Sequence, residues 1–300
     1  MNESKLGKKV VFIYNPSSGK GRVEKNLDFI VNEINKKYGS VDVIRTKSAE
    51  HLTESVRNAC YEYDYLFFSG GDGTFNMVVN SIPFEVEKLP IFGYLPGGST
   101  NDMSYNVNIS RMNVKKGIVD LMNSKPKKYD IGYMGKNKFI YVACVGAFTD
   151  IPYITPQEDK RKWGGLAYLY YGLKSIFKNF KPYNITVNGI KYTTPLIIFS
   201  NSKEVASFKI NPFTAQDTNK YYACIVKNGK LKGILNVCYL FAFGLEKAIK
   251  KGIVEYAEAP MFTIESDQKL WDYDGEFREC EFPTYCGYSG RSIMLLVNRE

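Results

Sequence analysis

Between residues 8 and about 105, short β-rich apolar runs alternate with stretches of helical periodicity, the pattern of a parallel sheet wrapped by helices. The run at 9–14 reads as a strand and ends at Asn15-Pro16. Val23, Leu27, Ile30, Val31 and Ile34 then recur at helical spacing, and 41–45 gives a second strand. Leu52, Val56, Ala59 and Cys60 mark the next helix. A third strand at 65–68 runs straight into a glycine turn at 69–74, with a helix expected over 75–80. A fourth strand at 89–95 ends in a second polar turn at 96–102.

Beyond about residue 125 the runs become short and alternating, broken by turns such as Asn188-Gly189, a strong hairpin signal. One helix is expected to interrupt them, with Leu166, Leu169, Leu173, Ile176, Phe177 and Phe180 on its apolar stripe and Tyr171, Lys174, Lys178 and Lys181 on the other side. The fold class is therefore α/β plus all-β. A doubly wound parallel-sheet domain is expected over 1–125 and a β-rich, sandwich-like domain over 126–300, with a return of the last strand to the first domain left open.

Composition narrows the class. The chain has 300 residues, 44% apolar and 24% charged, which is ample for buried cores without disulfide staples. Its longest nearly uncharged apolar run, 233–245, falls short of the roughly 20 residues that span a bilayer, and the N-terminal stretch carries no signal-peptide pattern. A cytoplasmic protein is expected. The six cysteines lack C-x-x-C spacing and read as buried thiols. His51 is the only histidine and reads as a surface residue, so a general base would have to be something else, most naturally a carboxylate. Forty basic against thirty-one acidic residues give a net charge of +9, which favours anionic partners. Nucleic acid ranks last among these, since no zinc finger, RRM or basic-helix motif accompanies the charge.

The candidate chemistry lies in three turns that each follow a strand of the first sheet. They are Asn15-Pro16-Ser17-Ser18-Gly19-Lys20-Gly21, then Gly70-Gly71-Asp72-Gly73-Thr74, then Pro96-Gly97-Gly98-Ser99-Thr100-Asn101-Asp102. In an open parallel sheet the carboxyl ends of the strands share an edge, so these turns should meet in one crevice. Their glycines let backbone N–H groups approach an anion, helped by the positive ends of the following helices. A phosphorylated ligand is implied. Neither the P-loop pattern nor G-x-G-x-x-G is present. Carboxylates at Asp72 and Asp102 beside phosphates call for a cation between them, and Mg²⁺ suits that role.

These residues resemble the diacylglycerol kinase catalytic-domain family, and within it the soluble bacterial lipid kinases. The resemblance rests on the two turns at 70–76 and 96–102, on Asn15-Pro16 with Ser18-Gly19-Lys20-Gly21, and on later segments in the family's order: 141–146, 162–168 with Gly172-Leu173, and Asp274-Gly275-Glu276. It implies a two-domain kinase using ATP and Mg²⁺, with the nucleotide in the α/β half and a membrane lipid as acceptor. Asp72 then matches the aspartate of the magnesium network, and Thr46, Ser99, Thr100 and Asn101 match positions lining the nucleotide or its metal. The turn residues Asn15, Ser18, Gly19, Gly70, Gly71, Gly73, Thr74 and Gly97, with Glu276 of the last motif, join the implied nucleotide site, while Lys20 either screens the phosphates or is solvated. Asp274 matches the general base. Relatives carry a second, structural metal in a D-D-G-x-x-D-like segment, and here Gln216-Asp217-Thr218-Asn219-Lys220 retains only Asp217 of it.

The expected function is transfer of the γ-phosphate of ATP to a lipid hydroxyl, with diacylglycerol as acceptor and phosphatidic acid as product. Its rivals are a kinase for another lipid alcohol, such as a sphingoid base or glycolipid, and a noncatalytic nucleotide- or lipid-binding relative. The lysine-bearing face of the helix at 164–181 suggests peripheral attachment to an anionic bilayer. A homodimer is left open.

Overall fold

Five consecutive apolar residues form β1 (Val10–Tyr14), and all five are buried, as expected for a strand covered on both faces. It lies between and parallel to β2 (Asp42–Arg45) and β3 (Tyr65–Gly70), with β4 (Ile91–Pro96) parallel to β3 on the far side. The computed structural model describes residues 7–98, 101, 103–146, 182–202, 204–205, 208–209 and 217–298. The expected helix at 164–181 and the candidate residues Ser99, Thr100 and Asp102 lie outside these.

The crossovers carry α1 (Leu27–Tyr38), which buries Ile30 and Ile34, and α2 (Ala49–Glu62), which buries Leu52, Val56, Ala59 and Cys60. Ser48 caps α2, its Oγ accepting from the His51 N–H at 3.2 Å. The helix expected over 75–80 is longer: α3 (Asp72–Ser81) begins three residues earlier, with Gly71 as its cap position. Two short helices follow, α4 (Met103–Val107) and α5 (Val114–Met122).

The described chain divides into two compact units, Met1–Ile131 with Arg291–Glu300, and Gly132–Gly290. The chain leaves the first unit within β5 (Lys125–Met134). In the second, β5 pairs with β6 (Asn137–Phe139), followed by β7 (Val142–Gly146) and the hairpin β8 (Tyr183–Val187) and β9 (Ile190–Thr194). The turn of that hairpin is Asn188-Gly189, at φ 50° and 79°. Next come β10 (Leu196–Ser200), the small pair β11 (Glu204–Val205) and β12 (Phe208–Lys209), and β13 (Tyr221–Val226). Two helices, α6 (Lys230–Phe243) and α7 (Leu245–Lys250), then break the β-rich half where only the helix at 164–181 was expected. The strands resume with β14 (Val254–Ala259), β15 (Met261–Ser266), β16 (Leu270–Tyr273), β17 (Glu276–Glu279) and β18 (Thr284–Val297).

An antiparallel sheet of order β14-β13-β10-β7-β16-β17 faces a second layer in which β15 pairs with β8 and with the start of β18. Alternate residues from both enter one core: Ala143, Val145, Ile197, Phe199, Ala223, Ile225 and Trp271 from the first, Ile185, Val187, Phe262, Ile264 and Cys286 from the second. Each large side chain buried there contributes about 1.5–3 kcal/mol. The end of β18 belongs to the first unit, with Met294 and Leu295 parallel to Ile91 and Phe92 of β4. The first unit's sheet thus runs β2-β1-β3-β4-β18, and its order reverses between β1 and β3. At that switch point an open α/β sheet leaves a crevice beyond its strand ends.

Candidate active site

The turns after β1, β3 and β4 meet. The Gly97 N–H donates to the Gly70 carbonyl at 2.8 Å, so the second and third turns leave the sheet side by side. A Cβ on Gly98 would lie 2.5 Å from the Gly71 Cα, and one on Gly19 would lie 1.9 Å from the Gly97 carbonyl oxygen. Only glycine permits these approaches. Gly70 is held otherwise: a Cβ there would strike the side chain of Thr74 at 2.3 Å.

In the first turn, Asn15 Oδ1 accepts the Ser17 N–H at 2.9 Å and the Asn15 carbonyl accepts the Ser18 N–H at 3.1 Å, an Asx-type reversal. Gly19, Lys20 and Gly21 follow with φ of 57°, 64° and 67°. Lys20 is exposed, in a left-handed conformation that costs a side chain energy. Arg22, which sequence reasoning passed over, joins the turns. Its Nε donates to the Gly19 carbonyl at 3.1 Å and its Nη2 to the Gly98 carbonyl at 2.8 Å.

Asn101 fastens the third turn from within. It is buried, its Oδ1 accepts the Gly98 N–H at 2.8 Å, and its Nδ2 donates back to the Gly98 carbonyl at 2.9 Å. Tyr94 Oη donates to the Gly70 carbonyl at 3.1 Å, adding a tie between β3 and β4. Asp72 opens α3, and its Oδ1 accepts the Met103 N–H at 3.2 Å, so the second turn also reaches the start of α4. The first bond of the α3 ladder runs from the Phe75 N–H to the Gly71 carbonyl, which places the N–H groups of Asp72, Gly73 and Thr74 ahead of it.

Thr46 sits behind this edge. It is buried, and both its N–H and its Oγ1 donate to the Tyr14 carbonyl, at 2.9 and 3.2 Å. Tyr14 donates its hydroxyl to Glu24, which also accepts from Arg45 at 3.3 Å. Burial, then the hydrogen bond to Glu24, pushes the Tyr14 hydroxyl up to about 12. The same bond, then Arg45, holds the Glu24 carboxyl below its ordinary range.

The donor set suits a polyphosphate. It offers helix-start N–H groups, a left-handed glycine turn and the basic side chains of Lys20 and Arg22, with Asp72 as a hard oxygen ligand of the kind Mg²⁺ takes.

The remaining predicted residues belong to the second unit. Asp274 and Gly275, at φ 55° and 90°, form the two-residue turn between β16 and β17, as Asp-Gly does in tight hairpins. Asp274 is fully buried; its Oδ2 accepts the Ile140 N–H at 2.7 Å and its Oδ1 accepts those of Tyr141 and Val142 at 3.0 Å each. Its own N–H donates to the Val142 carbonyl at 3.0 Å. Asp272, nearly as buried, accepts the Gly275 N–H on Oδ1 at 2.7 Å and lies opposite Cys144 of β7. Burial, then Asp272 and Asp274, holds the Cys144 thiol well above its usual range. Glu276 is exposed at the start of β17. Asp217 is exposed in a turn, and among the described residues no three of His, Cys, Asp and Glu cluster closely enough to hold a metal.

Residues 9–134, which contain all three turns, match the family described as the diacylglycerol kinase catalytic domain. Similarity to relatives extends beyond that stretch. A diacylglycerol kinase of Bacillus subtilis (strain 168) is 25% identical over 277 residues, covering 90% of each chain. One of Staphylococcus aureus (strain MRSA252) is 28% identical over 279 residues, covering 91% of this chain and 87% of the other. Along most of its length the chain is thus similar to diacylglycerol kinases. Its fold is that of a diacylglycerol kinase from Bacillus anthracis str. Sterne, with a TM-score of 0.77 at 23% identity over 97% of both chains. An NAD kinase from Archaeoglobus fulgidus, solved in complex with ATP, shares the fold more distantly, with a TM-score of 0.53 at 11% identity over 97% of this chain and 94% of that one.

Proposed function

We propose that this protein is an ATP-dependent lipid kinase that transfers the γ-phosphate to the hydroxyl of a membrane lipid, with diacylglycerol as acceptor. The observation that carries the reading is the meeting of three glycine turns at the switch point of a parallel sheet, held together by Arg22 and Asn101. Phosphoryl transfer asks a protein mainly for alignment and charge neutralisation, which such an edge can supply.

In this reading the 15–21 turn and the helix-start N–H groups at Asp72, Gly73 and Thr74 bind the phosphates, with Lys20 and Arg22 offsetting their charge. Asn15, Ser18, Gly70, Gly71, Gly97, Ser99, Thr100 and Asn101 shape the rest of the nucleotide site, Thr46 supports its floor, and Glu276 is assigned to it by the resemblance. Asp72 and Asp102 would hold Mg²⁺, which when bound would neutralise phosphate charge. Asp274 takes the proton of the acceptor hydroxyl. A second reading of Asp274 is supported by its burial and its three backbone bonds, namely that it anchors the start of β7.

No helix among the described residues is long and apolar enough to cross a membrane. In this reading the acceptor is collected by peripheral attachment from the cytoplasmic side. The test is transfer from [γ-³²P]ATP into a panel containing diacylglycerol, a sphingoid base and a glycolipid, with and without Mg²⁺. Labelled phosphatidic acid is expected. Label in another lipid alone would reassign the acceptor, and no labelled lipid with nucleotide still bound would make the chain a noncatalytic relative.

A further inference from the structure

The second unit carries an apolar helix face that the fold leaves outside. Ile234, Val237 and Leu240 turn the inner face of α6 into the unit beside β13, with Asn236 Nδ2 donating to the Lys227 carbonyl at 3.0 Å. Opposite them, at spacings of three and four, stand Leu235, Tyr239, Ala242 and Phe243; Leu235 is 62% exposed and Phe243 53%. Ile249 of α7 adds to the same end of the pair and is also exposed. A helix that is apolar on both its inner and outer sides has a second apolar surround to find.

The charges around this face identify that surround. Lys232, Lys247, Lys250 and Lys251 border it against one acidic residue, Glu246, which pairs with Lys250 at 2.7 Å. Two of the lysines lie over its rings: Lys251 Nζ is 4.0 Å from the Tyr239 ring centre and Lys247 Nζ is 5.5 Å from that of Phe243. The two rings are 4.6 Å apart. Long basic side chains laid along aromatic rings at the margin of an apolar patch suit a lipid interface, where rings enter the headgroup zone and ammonium groups reach the phosphates. A second copy of the chain, docked face to face about a twofold axis, would instead set lysines against lysines.

We propose that the outer face of α6 with α7 docks on an anionic bilayer, through Leu235, Tyr239, Phe243 and Ile249 in the interface and Lys232, Lys247 and Lys251 against lipid phosphates. The inference deepens the lipid-kinase reading by giving that activity a membrane surface.

The test is sedimentation of the full protein with vesicles of mixed phosphatidylglycerol and phosphatidylcholine, and with vesicles of phosphatidylcholine alone. The parent should bind the anionic vesicles more tightly and lose that advantage in high salt. L235S/F243S should weaken binding to both, and K247E/K251E should weaken binding to the anionic vesicles alone, each by about tenfold or more. All four side chains are substantially exposed, so circular dichroism and melting should stay at parent values. A parent that ignores anionic vesicles, or variants that bind them as the parent does, would overturn the docking surface. So would a parent dimer that L235S/F243S converts to monomer with vesicle binding unchanged. Transfer to short-chain dioctanoylglycerol in solution separates the two readings. If the parent binds vesicles but phosphorylates no lipid, the kinase fails and the surface stands; if it phosphorylates the soluble lipid and the variants bind vesicles normally, the surface fails and the kinase stands.

Discussion

Arg22 Nη2 donates to the carbonyl oxygen of Gly98 at 2.8 Å, across 76 residues of chain, while its Nε holds the Gly19 carbonyl at 3.1 Å. One guanidinium thus sets the spacing between the turn after β1 and the turn after β4. Hydrogen bonds from a charged donor contribute about 1.5–3 kcal/mol each, so their loss should be felt wherever that spacing matters. Arg22→Met is expected to weaken ATP binding by about 10–100-fold, with Arg22→Lys intermediate because an ammonium cannot reproduce the fork. Isothermal titration with ATP measures this. Unchanged affinity in Arg22→Met would separate the clamp from the nucleotide site.

The glycines of the turns should respond unequally. At Gly98 a methyl group would meet the Gly71 Cα at 2.5 Å, whereas at Gly71, with φ of −89°, it would meet the Gly98 Cα at 3.4 Å, an ordinary contact. Gly98→Ala is therefore expected to lower stability by about 1–3 kcal/mol, the usual cost of overpacking, and Gly71→Ala by clearly less. Chemical denaturation of both variants checks the order. Equal losses would mean that the loops yield at both positions.

What could be read from the sequence, and what could not, follows from the range of the interactions. β1, β3 and β4 were legible because each is a compact apolar run closed by proline or glycine, and the hairpin at Asn188-Gly189 because two residues decide its turn locally. α6 was not, since it is apolar on its outer face as well as its inner one and shows no clear helical period. Arg22 gave no local signal either, because its acceptor at Gly98 is remote in sequence. Asp-Gly at 274–275 is a local turn signal, but the backbone donors at Ile140, Tyr141 and Val142 are more than 130 residues away.

The Tyr14–Glu24 bond makes a prediction in pH. The Tyr14 hydroxyl moves from an ordinary 10.0 to about 12 in the fold, so the stability it contributes is complete below 10.0 and is lost as pH rises through about 12. Glu24 is lowered, so its contribution is complete above the ordinary glutamate range and fades as pH falls below it. Tyr14→Phe should remove the alkaline limb and move the Glu24 carboxyl back toward its usual value. Melting temperature against pH and NMR titration of Glu24 read the two effects. A Tyr14→Phe variant with the parent's alkaline limb would place that limb in another group.

Asp274 needs a test that separates chemistry from anchoring, because its carboxylate accepts three backbone N–H groups. In Asp274→Asn the side-chain oxygen can serve Tyr141 and Val142 only by turning the new NH₂ toward the Ile140 N–H, donor against donor. An unsatisfied buried donor costs about 1–3 kcal/mol, so this variant should melt earlier than the parent whatever its role in transfer. Lost activity alone therefore assigns nothing. A general base contributes about 10²–10⁴-fold and leaves its mark on the pH dependence of kcat/KM, where the rate falls as the base becomes protonated. The expected result is a folded Asp274→Asn variant, measured below its own melting temperature, whose residual transfer is slower by that factor and has lost the acid limb of the parent profile. A variant that is slower and less stable but keeps the acid limb would make Asp274 the anchor of β7 and return the proton transfer to another carboxylate, with Asp272, two residues before it, the next to substitute.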